Sequence, residues 1–132
     1  MRLSIRDIYH FFRYDIPYGI SNLVKWFPVI WKDRDWDYCF FLTILHKKLC
    51  FMEELFEYNA HYVGSEKDAR IIKICRILSE RLVRDDYIMS LAENKVFYRR
   101  EPEVWKHEDA LRDQDRDYLF KLMQKHLFKW WD

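Results

Sequence analysis

Hydrophobic positions recur at three- and four-residue steps along most of this chain. The longest series is Leu42, Leu45, Leu49, Met52 and Phe56, widened by Phe40, Ile44, Phe51 and Leu55, and it predicts a helix over roughly 35–61. Asp33 or Asp35 is its expected cap. A second series, Ile71, Ile74, Cys75, Leu78 and Leu82, predicts a helix over about 66–84, with Tyr87, Ile88 and Leu91 as its continuation. Gly64 closes the first helix, and Ser65 with Asp68 has the spacing of a capping box at the start of the second. So short a link makes the two an antiparallel hairpin, and the first, longer helix is the expected central beam of the fold.

Polar breaks divide the rest. Ser4 and Asp7 form a further capping-box pattern ahead of Ile5, Ile8, Tyr9 and Phe12, a short helix that Pro17 and Gly19 are expected to break. Ser21 is the next cap candidate. Pro28 then argues for short helical pieces joined by a kink over Ile20 to Arg34. Between Asn94 and His107 the periodicity fades and Pro102 suggests a loop. A last helix from Glu103 or Glu108 to Trp130 buries Leu119, Leu122, Met123 and Leu127, with acids suited to its first turn and Lys125, His126 and Lys129 to its last. These elements predict an all-α fold, a compact bundle of four to five helices with a long central helix hairpin, as a single helical domain over 1–132.

Composition agrees. Half of the 132 residues are hydrophobic and 19% aromatic, with only two glycines and three prolines, too few turn formers for a sheet protein. The 23 basic and 22 acidic residues leave a net charge of +1. No whole-molecule field therefore steers the chain to bulk nucleic acid or an anionic membrane. Cys39, Cys50 and Cys75 are odd in number and lack metal-ligand spacing, so they read as reduced, packed thiols. No apolar run reaches the roughly 18 residues of a membrane span, and a charged N-terminus is unlike a signal peptide.

Candidate chemistry concentrates between Trp26 and Tyr38. Trp31 and Trp36 offer flat faces for a base, Lys32 and Arg34 donors for phosphate, and Asp33 and Asp37 acceptors for ribose hydroxyls. Arg99 and Arg100, beside Phe97 and Tyr98, are a second anion-binding pair. Against that reading stands a plainer one, in which the acids cap a helix, Arg34 pairs locally and the indoles plug the bundle. On the long helix His46, Cys50, Glu53, Glu54, Glu57 and His61 fall at helical steps, suitable for metal ligation or for a solvated polar face. Glu53, Glu54 and Glu57 have the E-E-x-x-E spacing of MazG-type nucleotide pyrophosphohydrolases, but no E-x-x-D follows to complete the metal site. His46 and Cys50 stand one turn apart, and the basic stripe Arg70, Lys73, Arg81 and Arg84 is laced with glutamates. No catalytic motif and no cofactor-binding motif is present.

The W-F-P-V-I-W-K-D-R-D-W-D run over 26–37, with L-H-K-K-L-C-F-M over 45–52 and V-G-S-E-K-D-A over 63–69, resembles small tailed-bacteriophage proteins of uncharacterised role. The similarity covers about residues 20–85. It implies a phage protein acting in the host bacterial cytoplasm and assigns no residue a role. Three functions follow as expectations. The first is a phage accessory protein, open to homo-oligomer formation, that binds a nucleotide-like small molecule and sequesters a host immune signal uncleaved. The others are a metal-dependent pyrophosphohydrolase using Glu53, Glu54 and Glu57, and a protein-binding inhibitor of a host factor whose aromatic residues are the hot spots.

Overall fold

The computed structural model describes residues 4–34, 37–58, 65–87 and 102–130. Every described element is helical, as the hydrophobic periodicity requires, and no strand occurs among the described residues. The chain divides into two compact units, Met1–Asp37 and Tyr38–Asp132.

The first unit is a helical rod. Ser4 caps α1 (Ile5–His10): its Oγ accepts from the Arg6 N–H at 3.4 Å, while the Asp7 carboxylate accepts from the Ser4 N–H at 3.1 Å. A π turn over Phe11–Asp15 leads directly into α2 (Ile16–Ile30), so Pro17 and Gly19 do not break the helix. The reason lies in the wide turn. The Ile16 N–H reaches back five residues to the Phe11 carbonyl, which opens the backbone where a proline ring would otherwise strike the carbonyl four residues earlier. Pro17 then occupies the first turn of α2, where its missing N–H costs least. Pro28 also lies inside α2 rather than at a break. Only the last turn loses a bond there, and the Trp31 N–H still donates to the Phe27 carbonyl at 2.9 Å.

The second unit holds α3 (Tyr38–Tyr58), α4 (Ser65–Arg84), α5 (Pro102–His126) and a final 3₁₀ turn (Leu127–Lys129). α3 starts at Tyr38, so Asp37, and neither Asp33 nor Asp35, stands immediately before its first helical residue. Pro102 opens α5 instead of belonging to a loop, using the first helical position where proline's fixed φ is an advantage. Gly64 lies outside the described residues.

Cross-helix contacts give the directions. His46 meets Ser79 while Glu53 meets Lys73 and Arg76, so α3 and α4 are antiparallel, as the short link requires. Arg81 meets Asp115 while Asp85 meets Arg112, which makes α4 and α5 antiparallel too. α4 packs on both α3 and α5; the middle helix, and not α3, is thus the central beam. Its end is shaped by Asp85, held in the left-handed region at φ 50. Aspartate tolerates that conformation better than most residues, and its N–H closes the helix on the Arg81 carbonyl at 3.0 Å.

One core joins Leu49, Met52 and Phe56 of α3, Ile71, Ile72, Cys75, Leu78 and Leu82 of α4, Leu119 of α5 and Trp130. Most of the predicted stripe is there. The exceptions follow from α4 serving two neighbours: its buried arc is widened by Ile72 and Ser79, while Ile74 turns partly to solvent. Likewise the 3₁₀ turn swings Leu127 outward and brings Trp130 in. Ile44 and Leu55 do not widen the core; they belong to a second, outward face of α3.

Burial predicts a sharp contrast along α4. Ile72→Ala, at a position with no exposure, is expected to lower unfolding free energy by about 2–5 kcal/mol. Ile77→Ala, 40% exposed, should change it by no more than about 0.5 kcal/mol, both read from denaturant unfolding.

Candidate functional site

The Trp31–Arg34 segment emerges at the carboxyl end of α2, and its backbone is occupied in finishing that helix. The Lys32 and Asp33 N–H groups donate to the Val29 and Ile30 carbonyls at 3.3 and 3.0 Å, and the Asp37 N–H donates to Arg34 at 2.8 Å. Arg34 directs Nη1 to the Asp33 carbonyl at 2.8 Å, satisfying the chain next to it. Trp31 is 72% exposed, with its ring 5.2 Å from that of Phe27. Lys32, Arg34 and Asp37 are exposed and Asp33 is half-buried. The helix dipole itself does not favour an anion here, because a helix presents its negative end at its carboxyl terminus. Anion sites use the opposite end. Trp36, Arg99 and Arg100 lie outside the described residues.

The α3 polar series divides: His46, Cys50 and Glu53 are drawn toward the helix interface, while Glu54 and Glu57 stay on a solvated face. Glu53, nearly buried, pairs with the Arg76 guanidinium and stands 3.9 Å from Lys73. Arg76 also donates to Glu80 at 2.9 Å, and Glu80 accepts from Arg84 at 2.7 Å. Glu54 and Glu57 are exposed. Among the described residues no three His, Cys, Asp or Glu side chains are grouped to hold a metal; His61 lies outside them.

His46 and Cys50 do meet. The Ser79 hydroxyl donates to the Arg76 carbonyl at 2.8 Å, so His46 Nδ1, 3.1 Å from the same oxygen, carries a proton and donates to it. That leaves the Nε2 lone pair facing Cys50 Sγ at 3.5 Å. Burial pushes the Cys50 thiol up, against the pull of Arg76 and Lys47, and the thiol donates to the ring. The His46–Ser79 bond joins α3 to α4.

A second network, invisible to periodicity, links α4 to α5. Tyr87 donates to Asp115 at 2.8 Å, and the same carboxylate takes Arg81 at 3.0 Å. Arg112 gathers Asp85, Glu108 and Asp109 at 2.7–2.8 Å. Burial, then donation to Asp115, raises the Tyr87 hydroxyl. The signal was only partly available: the Glu108–Arg112 and Arg76–Glu80 spacings of four suggest pairs, but nothing local marks the Tyr87–Asp115 or His46–Ser79 contacts.

Alkaline pH should expose this burial. Burial pushes the Cys75 thiol from 9.0 up to about 11. An acid held neutral by the fold ionises first in the unfolded chain, so the stability it contributes is complete below pH 9 and is lost as pH rises to 11. The loss is up to about 3 kcal/mol. Unfolding free energies at pH 8 and pH 11 should therefore differ less in Cys75→Ala than in the parent chain.

No protein-family model matches the chain, and no curated protein and no solved structure matches it.

Proposed function

We propose that the protein is a non-enzymatic docking module that lays its N-terminal helix into an apolar groove of a protein partner. One observation carries this: α1, the π turn and α2 contain no buried residue although they are rich in large apolar side chains. Ile16, Ile20, Leu23, Phe27 and Ile30 step by four and three along one side of α2, the anchor spacing of helix-in-groove recognition. Leu23 is 70% exposed and Phe27 58%. Each such side chain gains about 1.5–3 kcal/mol on full burial, so the helix presents a large unclaimed driving force. Soluble surfaces seldom carry so long an apolar strip without using it.

The chemistry of the partner follows from the charges. Arg6, Asp7, Arg13, Asp15 and Lys25 nearly cancel along the rod, which suits an apolar groove with a mixed rim. A membrane-surface helix relies on a densely cationic polar face, which this one lacks. Among the described residues no helix is long and apolar enough to cross a membrane. The resemblance of residues 20–85 to tailed-phage proteins makes a bacterial host protein, met in the host cytoplasm, the expected partner. Trp31 extends the anchor strip by one turn from Phe27, so the aromatic cluster read as a nucleotide site serves here as the end of the docking helix.

The test is photo-crosslinking from position 20 of the full chain in bacterial lysate, beside the Leu23→Glu, Phe27→Glu variant. The reading expects a discrete protein adduct with the parent chain, reduced more than about tenfold in the variant, while the helical signal of the rest of the chain persists. Equal crosslinking by both contradicts it. Release of an intact nucleotide from the denatured parent chain, with no protein adduct, supports sequestration instead.

A further inference from the structure

The outward side of α3 is a second apolar seam. Measured from Leu49 at about 100° per residue, the core positions Leu42, Leu45, Met52 and Phe56 share one side. Phe41, Ile44, Lys48, Phe51, Leu55 and Tyr58 lie about 130° round the helix, at unbroken steps of three and four. Phe41 is 62% exposed and Tyr58 78%; Ile44 and Leu55 are exposed to a lesser degree. The seam runs about 26 Å.

Its charges are arranged against the helix that bears them. α3 has no acid in its first turn and no base in its last. Lys47 and Lys48 precede Glu53, Glu54 and Glu57, so the acids crowd the carboxyl half, where the helix dipole disfavours them. An antiparallel neighbour removes the conflict by reversing the order. On the inner side α4 does this, setting Lys73 and Arg76 against Glu53. On the outer side Glu54 has no ion-pair partner among the described residues, and Lys47 rests its ammonium 4.8 Å from the Phe51 ring centre.

We propose that the outer face of α3 pairs with the same face of a second copy, antiparallel, about a two-fold axis beside Phe51. Lys47 and Glu54 are seven residues apart and therefore on one flank of the seam. In a two-fold antiparallel pair, Lys47 of each copy meets Glu54 of the other, and Ile44 meets Tyr58. The face answers its own requirement, which is the condition for an isologous interface. At their exposures Phe41, Ile44, Leu55 and Tyr58 offer roughly 400 Å² per copy, so with its charged rim the pair buries on the order of 800–1,000 Å², at the low end for a specific association. The dimer is thus concentration-dependent. The seam is separate from the docking strip on α2, and the two readings stand or fall independently.

Sedimentation of the full chain over about 1–100 μM tests it. The expected result is a monomer–dimer equilibrium in that range, weakened about tenfold or more by Lys47→Glu or by Glu54→Lys alone, and restored to within about threefold in the double variant. Leu55→Glu should abolish the dimer with the helical signal intact, and Leu23→Glu with Phe27→Glu should leave it unchanged. A parent chain that stays monomeric throughout overturns the proposal. So does a dimer that ignores the charge reversals, or one lost with the α2 substitutions.

Discussion

Along α4, Ile71, Ile72, Cys75, Leu78, Ser79 and Leu82 are withdrawn from water on a helix that runs antiparallel to both of its neighbours. Covering so wide an arc takes α3 on one flank and α5 on the other, and it fixes what the flanking positions of α4 must be. Toward α3 they are Lys73, Arg76 and Ser79, which take up Glu53 and His46; toward α5 they are Arg81 and Asp85, which take up Asp115 and Arg112. Apolar burial supplies the stability, and the polar flanks set the register. A partner missing from either flank would leave a half-buried charge without compensation, which costs more than the pair contributes.

The surfaces left over have a different logic. The helical rod of Ile5–Ile30 keeps its apolar strip in water, and α3 keeps a second seam on the side away from α4. Both carry anchors at helical spacing, but their charges differ. The rod is nearly neutral, with its charges scattered. The α3 seam separates bases from acids along its length, which specifies the direction of whatever helix covers it. The docking strip is accordingly read as a site for a foreign apolar groove, and the seam as a self-complementary one.

How far the sequence disclosed this depended on whether the cause was local. The stripes Leu49, Met52, Phe56 and Ile71, Cys75, Leu78, Leu82 were legible because burial on a helix imposes a period, and the Ser4–Asp7 box because both partners lie within one turn. The prolines misled. Pro17 is accommodated by a π turn, Pro28 falls where only the last turn suffers, and Pro102 starts a helix; residue type alone does not distinguish these cases from a break. At the Trp31–Arg34 cluster residue type was visible in the sequence while direction was not. Its backbone completes the carboxyl end of α2. The cross-helix contacts Arg76–Glu53, Ser79–His46 and Tyr87–Asp115 left no local signal because their partners are 23 to 33 residues distant.

Burial around α4 holds the second unit together, while the large apolar side chains of the N-terminal rod stay exposed. Hydrogen exchange on the isolated full chain tests it most directly, since protection reports the free energy of opening segment by segment. Amides of Ile71 to Leu82 should exchange slowest, close to the limit of global unfolding, and those of Ile8 to Phe27 faster by at least about two orders of magnitude, as befits helices with no buried residue. Equal protection of the two segments in the isolated chain would contradict the account.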